Sequence, residues 1–421
     1  MLNGKRQMTG PAWRPSAVIA AMCAAEILSM TGYAAFPALT PIFARSWELT
    51  ATQIGWIGAS YFAGTAMGTA LLPAATDRLD ARALYLASLG LGVLGLLSLA
   101  VVDGPAGAAT SRFVQGVGLA GTYFPGLRAL LAALPAAHHG RATAFYTGLY
   151  AVGTSLSFFL TGVLNAQVQY HVTFALLGLG PAIAIPIAAL TLQPAAPRGD
   201  AAAPLFQFAP VLRDRLVRGH VGAYAALCGQ ILVLQTWLVL LLARSLPGRG
   251  GDAALSSTIA AGIALCAVPA SIFGNELAER YGQARVIVAV MLASLVLFIA
   301  TFAVVQVPLW ALALIALALF STTTLNSASI TNSLRARCAP EYLGRALSVY
   351  ALAGAVAAMA APFAFGVVLD LAGGVARPLA WLWAALALGA GFLGGPIAFA
   401  RTVGGGLARS LFIPGSKGRP G

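Results

Sequence analysis

The sequence predicts an all-α membrane protein of twelve transmembrane helices in two pseudo-symmetric bundles of six. Three observations carry that prediction: a composition too apolar for water, twelve apolar blocks separated by short basic loops, and two local patterns that recur half a chain apart.

The chain has 421 residues, of which 59% are hydrophobic and only 9% charged. A soluble domain needs about 25% charged residues to cover its surface. The apolar residues fall in blocks of about twenty, enough to cross a ~30 Å hydrocarbon core at 1.5 Å per residue. The formal charge of +13 raises a nucleic-acid reading, but the basic residues are scattered between apolar blocks and form no basic face. Cys23, Cys228 and Cys266 lie inside apolar blocks and Cys338 in a basic loop. None has C-x-x-C spacing, so no zinc site or disulfide framework is expected.

Lys5, Arg6 and Arg14 precede the first apolar stretch, which opens near Ser16 and carries Glu26. It is too long for a signal-peptide core and other spans follow, so an uncleaved first helix is expected. Spans are predicted at 16–38, 52–73, 83–102, 106–129, 141–164 and 172–192. Six more fall at 219–243, 256–277, 284–305, 308–331, 345–368 and 379–400. The domains are therefore a first bundle over 1–192, a cytoplasmic linker over 193–218, and a second bundle with a short tail over 219–421. With the N-terminus inside, twenty Lys and Arg residues lie on the cytoplasmic side and five outside, namely Arg45, Arg112, Arg244, Arg249 and Arg377. That asymmetry obeys the positive-inside rule and predicts an inner-membrane, multi-pass protein with both termini cytoplasmic.

Asp77-Arg78 closes the second span and Glu279-Arg280 the eighth, 202 positions later. Gly140-Arg141-Ala142 opens the fifth span and Gly344-Arg345-Ala346 the eleventh, 204 positions later, with Pro135 and Pro340 before them. Two unrelated patterns at nearly one offset imply duplication of a six-span unit, giving parallel repeats.

The stretch from Pro73 through Asp77-Arg78 and Asp80 to Arg82 resembles the loop signature of the major facilitator superfamily, G-x-L-x-D-R-x-G-R-R. Pro73 and Asp80 stand where that signature has glycines. A second copy runs from Asn275 through Glu279-Arg280 and Gly282 to Arg285, and Arg112-Phe-Val-Gln115-Gly116 resembles the family's R-x-x-Q-G signature. With the span count and the repeat, the resemblance covers the whole chain. The proline-containing signature of proton-driven drug antiporters is missing from 148–162, and spans two and eight lack the arginines of nitrate porters. Ala-Gly-Thr-Tyr-Phe-Pro-Gly at 120–126 is similar to the cyanate-permease-like branch.

The resemblance implies that spans one, four, seven and ten line a central cavity. Glu26 and Arg112 are charges far from the membrane surfaces, where charge is costly, so both are functional candidates. They could face one space, with Glu26 taking up and releasing a proton; the alternative is an ionised Glu26 bonded to a neighbouring helix. Arg112 is read equally as a structural partner or as a contact to an anionic solute.

Span ten holds the most polar run, including Thr322, Asn326 and Ser329 on one face. With Gln115, Tyr146, Tyr150, Gln230, Gln235 and Trp237 it is expected to line a solute site, although such residues also bond across helices in membrane bundles. The family implies a conformational latch at Asp77, Arg78, Arg82, Glu279 and Arg280.

His138-His139 point apart with no carboxylate beside them, and no catalytic set or phosphate loop appears, so no metal, cofactor or enzymatic role is expected. The expected function is secondary active transport of a small solute by alternating access, with protons as the coupling ion and the chain acting as a monomer in the bilayer. The alternative is a transporter-like receptor or assembly protein that moves no solute.

Overall fold

The computed structural model describes residues 14–194, 213–246, 252–304, 307–338 and 340–411; of these, the side chains at 73, 74, 76, 77, 340–342, 344 and 403–411 are outside the described set. Most of the expected linker at 193–218 and the end of the tail therefore fall outside the described residues.

The described secondary structure is helical throughout. The first half holds α1 (Pro15–Ser29), α2 (Ala35–Ser46), α3 (Ala51–Arg78), α4 (Ala81–Leu99), α5 (Pro105–Ala132), α6 (His139–Gln167) and α7 (Tyr170–Thr191). The second holds α8 (Arg215–Arg244), α9 (Ala253–Leu265), α10 (Ala267–Tyr281), α11 (Gln283–Ala303), α12 (Leu309–Arg337), α13 (Pro340–Leu371), α14 (Pro378–Phe392) and α15 (Gly394–Leu411).

Three expected spans are each broken into two helices, and the breaks share a feature. Pro37, Pro269 and Pro396 are each the third residue of the second helix of a pair, α2, α10 and α15. A proline has no N–H to give to the carbonyl four residues earlier, and its ring crowds that carbonyl. For Pro269 and Pro396 that residue is Leu265 or Phe392, the last residue of α9 or α14. For Pro37 it is Tyr33, inside the turn at 30–34. The single helix expected over 16–38 is thus two, and the second runs on to Ser46.

Among the described residues, nine helical stretches are apolar and long enough to cross a membrane: those within 81–99, 136–167, 170–191, 215–244, 253–281, 283–303, 309–337, 345–371 and 378–402. The helices α3 and α5, each 28 residues long, stand outside that set, as does the α1–α2 pair. Both long helices are rich in Gly, Ser and Thr, and α5 carries the buried Arg112. Those small and polar residues dilute their hydropathy, while Trp56, Met67, Leu71 and Phe124 remain exposed. Leu94, Val101, Leu190, Val296, Trp310, Leu371 and Trp383 are exposed, a surface suited to acyl chains rather than water.

Close packing in the first half depends on small residues. A side chain at Gly116 would collide with the Tyr61 carbonyl, so the glycine lets α5 lie directly on α3. Two apolar clusters result. One runs through both halves from Met30 to Phe399. The other, of Val18, Met22, Tyr85, Leu89, Leu130, Tyr146 and their neighbours, is confined to the first half.

Candidate functional site

The turn at 30–34 leaves backbone groups that no helix satisfies, and side chains from other helices supply partners. Ser157 on α6 donates to the Thr31 carbonyl at 2.7 Å and accepts from the Ala34 N–H at 2.9 Å. Thr31 donates to the Leu177 carbonyl on α7 at 2.8 Å. Arg112 on α5 donates through Nη1 to the Gly32 carbonyl at 3.2 Å and through Nη2 to the Tyr33 carbonyl at 3.0 Å. Its Nη1 also reaches Gln115 Oε1 at 2.7 Å, and the guanidinium lies 4.0 Å from the centre of the Tyr61 ring. Arg112 is only 2% exposed. Its planar fork clamps the break in the first span and is turned away from open space.

Glu26 lies on α1, one turn before the same break, and is fully buried. Its Oε2 is 2.8 Å from the hydroxyl of Tyr146 on α6, and Oε1 has no hydrogen-bond partner among the described residues. The Tyr146 hydroxyl is also 2.8 Å from the Thr122 carbonyl on α5. Glu26 and Arg112 therefore do not form the ion pair that their placement in spans one and four allowed. Each has its own partners, because the turn carbonyls compete for the guanidinium.

A cavity with about 20 Å³ of room for water centres is lined by Ser29, Tyr33, Tyr61, Ser88, Gln115 and Thr122 with apolar neighbours.

The remaining expected solute contacts divide. Tyr150 stands edge-on to Tyr33 at 5.5 Å and to Tyr123 at 6.5 Å between ring centres. Gln235 accepts from the Tyr33 hydroxyl at 2.8 Å, and Gln230 is buried with Oε1 unpartnered among the described residues. Trp237 belongs to the packing of the second half: it is fully buried against Phe365 and Trp381 and donates to the Pro362 carbonyl.

On the polar face of α12, two of the three residues bond neighbouring helices. Asn326 donates to the Ile287 carbonyl on α11 at 3.0 Å, Ser329 to the Gly274 carbonyl on α10 at 3.3 Å, and Thr322 to its own helix at Ala318. Spacing along one helix cannot say which face meets protein and which meets a cavity; Asn326 keeps its Oδ1 without a hydrogen-bond partner among the described residues.

Side-chain hydrogen bonds join the two halves, several of them toward the end where α2 leads into α3 and α13 ends. Asp370 accepts from the Ala51 N–H at 3.0 Å and the Thr52 N–H at 2.7 Å. Ser155 donates to the Ala261 carbonyl at 2.8 Å and Ser257 to the Ala38 carbonyl at 3.0 Å. Another, Tyr33 to Gln235, lies nearer the middle. Gly366 packs on the Ala51 carbonyl, leaving no room for a side chain. Sequence reading missed Asp370; an acidic residue at a helix end whose partner is 319 positions away leaves no local signature.

At the opposite end, Arg82 donates to the Ala189 carbonyl at 2.8 Å. Glu279 accepts from Asn275 at 2.8 Å, and Asn275 accepts from Asn332 at 2.9 Å. Arg280 lies over the Tyr281 ring at 5.4 Å, and Arg78 is exposed. The side chain of Asp77 is outside the described residues.

The two halves of this helical protein thus meet around a polar interior. The sequence matches the Major Facilitator Superfamily over residues 22–248, more than half of the chain, and the protein belongs to that superfamily. It is similar to the "Uncharacterized MFS-type transporter YcaD" of Escherichia fergusonii, 33% identical over 132 residues. A second relative, "Uncharacterized MFS-type transporter Ent638_1421" of Enterobacter sp., is 31% identical over 140 residues. These matches cover 31–33% of this chain and 34–36% of the relatives. Among solved structures, a bacterial homologue of the human lysosomal transporter Spinster, inward-facing and unoccupied, superposes with a TM-score of 0.72 at 15% identity, covering 96% of this chain and 99% of that one. The nucleoside transporter NupG gives 0.72 at 13% identity over 92% and 99% of the two chains. At such identities the likeness is one of fold.

Proposed function

We propose that this chain is a secondary active transporter that moves a small organic solute by alternating access and couples it to protons through Glu26. The observation that carries the reading is the position of the Tyr146 hydroxyl, 2.8 Å from both Glu26 Oε2 and the Thr122 carbonyl. A hydroxyl has one proton to give and can also accept. When Glu26 is ionised, Tyr146 donates to it. When Glu26 is protonated, the carboxyl donates to Tyr146, which turns its own proton to Thr122. Both protonation states of a fully buried acid are then hydrogen-bonded, as a group that must load and unload a proton requires.

In this reading the chain forms two six-span bundles, 1–192 and 219–421, joined by the linker at 193–218, in the inner membrane with both termini cytoplasmic. The end sealed by Asp370 is then the outer one, and the conformation is closed to the outside. Asp77, Arg78, Arg82, Glu279 and Arg280 form the inner latch that closes in the opposite state, and Asp370 is its outer counterpart. The monomer is the working unit, because the rocking of two bundles about a central site needs no second copy. In this reading the solute site lies beside Tyr33, which Tyr150 meets edge-on and Gln235 meets through a hydrogen bond, with Gln230 on the same helix as Gln235. Arg112 spends its charge on backbone carbonyls, so an organic solute with polar and aromatic groups fits this wall better than an inorganic anion. The stretch at 120–126 alone does not extend the proposal to the cyanate-permease-like branch.

The test is proton movement in proteoliposomes of purified protein, screened with small organic anions and amphipathic cations, beside Glu26→Gln. Solute-dependent proton flux lost in the variant is expected. Solute flux with undiminished proton movement in Glu26→Gln would make Glu26 structural, and no flux with any solute would favour a transporter-like receptor.

A further inference from the structure

An apolar groove lies in the second half, between α8, α13, α14 and α15. Its volume is about 590 Å³, and its lining is alanine and glycine apart from Val368, Leu388 and Phe392. Ala360, Ala387, Gly391 and Gly394 are exposed, so the groove opens outward. Its walls belong to the membrane-crossing stretches 345–371 and 378–402, so it opens to hydrocarbon. On α13 the lining runs from Ala357 to Val368. At 1.5 Å per residue that is ~16 Å, about one leaflet of a ~30 Å hydrocarbon core.

The packing of α15 on α8 shows what stands at one end. Side chains added at Gly219, Gly222 and Gly395 would meet Thr402, Ala398 and Ala226, so the two helices run antiparallel in one register. That register sets Arg401 level with His220, within a turn of Arg218. Arg218 is four and seven positions from Gly222 and Ala225, and Arg401 is seven from Gly394, so each arginine shares a helical face with the groove. Both arginines are exposed. The nearest acid along the chain from Arg218 is Asp214, whose carboxylate accepts the Leu216 N–H at 2.8 Å.

An apolar slot one leaflet long, with two cations at one mouth, matches a lipid with an acidic head group. A flexible acyl chain supplies the dispersion contacts that small side chains leave unmade. A second copy of this chain fits less well. Both copies share one orientation in the bilayer, so a two-fold contact here would bring Arg218 and Arg401 of each to one depth, and like charges side by side repel.

We propose that this groove holds an acyl chain of an anionic phospholipid whose head group lies on Arg218 and Arg401. The lipid spans the break between α14 and α15, because Gly391 precedes that break and Gly394 follows it. The site is separate from Glu26 and from the solute path.

The experiment is native mass spectrometry of the purified full chain in detergent, titrated with phosphatidylglycerol and phosphatidylcholine of identical oleoyl chains. One phosphatidylglycerol per chain is expected to bind roughly 10- to 30-fold more tightly than phosphatidylcholine, since each basic group near an anionic head group is worth about fivefold. Arg218→Gln combined with Arg401→Gln should erase that preference. A side chain at Gly391 meets nothing within 4 Å, and Ala387 is exposed on the same wall. Gly391→Leu and Ala387→Leu should therefore occupy the groove and weaken both lipids at least ~10-fold, each lost methylene contact being worth several-fold. Their unfolding temperatures should stay within a few degrees of wild type.

Equal binding of the two lipids by the wild type, or a preference that survives loss of both arginines, would overturn the head-group site. Undiminished binding in both leucine variants would overturn the groove as the chain site. Weakening with a large fall in unfolding temperature in both would overturn it as a packing defect. A dimer in the wild type that Gly391→Leu dissociates would give the groove to a second copy instead.

Discussion

Asp370, one residue before the end of α13, holds the first turn of α3 by accepting the backbone N–H groups of Ala51 and Thr52 at 3.0 and 2.7 Å. Those N–H groups have no partners within α3, and the helix N-terminus carries partial positive charge, so the carboxylate is favoured on both counts. Thr50 and Gln53 cap the same helix reciprocally. The turn is thus saturated by its own residues and by the other half of the molecule together.

Removing that contact should loosen the seam. Charge-assisted hydrogen bonds are worth about 1.5–3 kcal/mol each when lost, and every ~1.4 kcal/mol is a tenfold change in an equilibrium. In a cysteine-free background with Ser155→Cys as reporter, Asp370→Asn should raise the rate of labelling by a membrane-impermeant maleimide about tenfold or more. An unchanged rate would mean that Asp370 does not hold the seam.

Arg112→Lys should cost about 2–4 kcal/mol of stability, because an ammonium cannot serve the Gly32 and Tyr33 carbonyls and Gln115 in one plane. Backbone hydrogen exchange should quicken at 31–35 above all. A uniform loss of protection across the first half would argue against a local clamp.

Tyr146→Phe removes the hydroxyl that serves Glu26 Oε2 and should lower stability by about 1–3 kcal/mol. Glu26→Gln keeps an acceptor there and should change stability by less than ~1 kcal/mol. No loss in Tyr146→Phe would show that the ring position, not the hydroxyl, matters.

Asn326→Ala should lower the unfolding temperature, with a loss of about 0.6–2 kcal/mol for a bond between membrane helices. Hydrogen exchange on α11 near Ile287 should rise with it. No change in either would make Asn326 a candidate solute contact again.

Cys338 follows the end of α12 beside Arg335 and Arg337, a setting that by sequence would favour the thiolate. Burial instead pushes its thiol above the ordinary value, and the charge of Asp214 pushes it the same way. A raised value means less thiolate at neutral pH, so alkylation should be slower than for a free cysteine and its rise should shift to higher pH. Asp214→Asn should restore part of the rate. A profile matching free cysteine would contradict the placement.

Much of this molecule was legible in the order of its residues. Composition and the lengths of the apolar blocks required a bilayer, and the arginine-containing motifs pointed to the superfamily. Glu26 and Arg112 stood out because charge in hydrocarbon is expensive wherever it sits. The breaks were less legible. Pro37, Pro269 and Pro396 stand just beyond them, yet Pro125, Pro181 and Pro362 lie inside unbroken helices. A proline shows where a helix is weak, and packing determines whether it parts.

What each polar residue meets was set by packing in three dimensions. Helical periodicity says which residues share a face, but a face of Thr322, Asn326 and Ser329 reads the same against a cavity or a neighbouring backbone. Arg112 went to the carbonyls of a turn between α1 and α2, and Glu26 went to Tyr146, 120 positions away. Hydrogen-bond partners are chosen by distance in space, and those distances come from helix packing that no local stretch of sequence records.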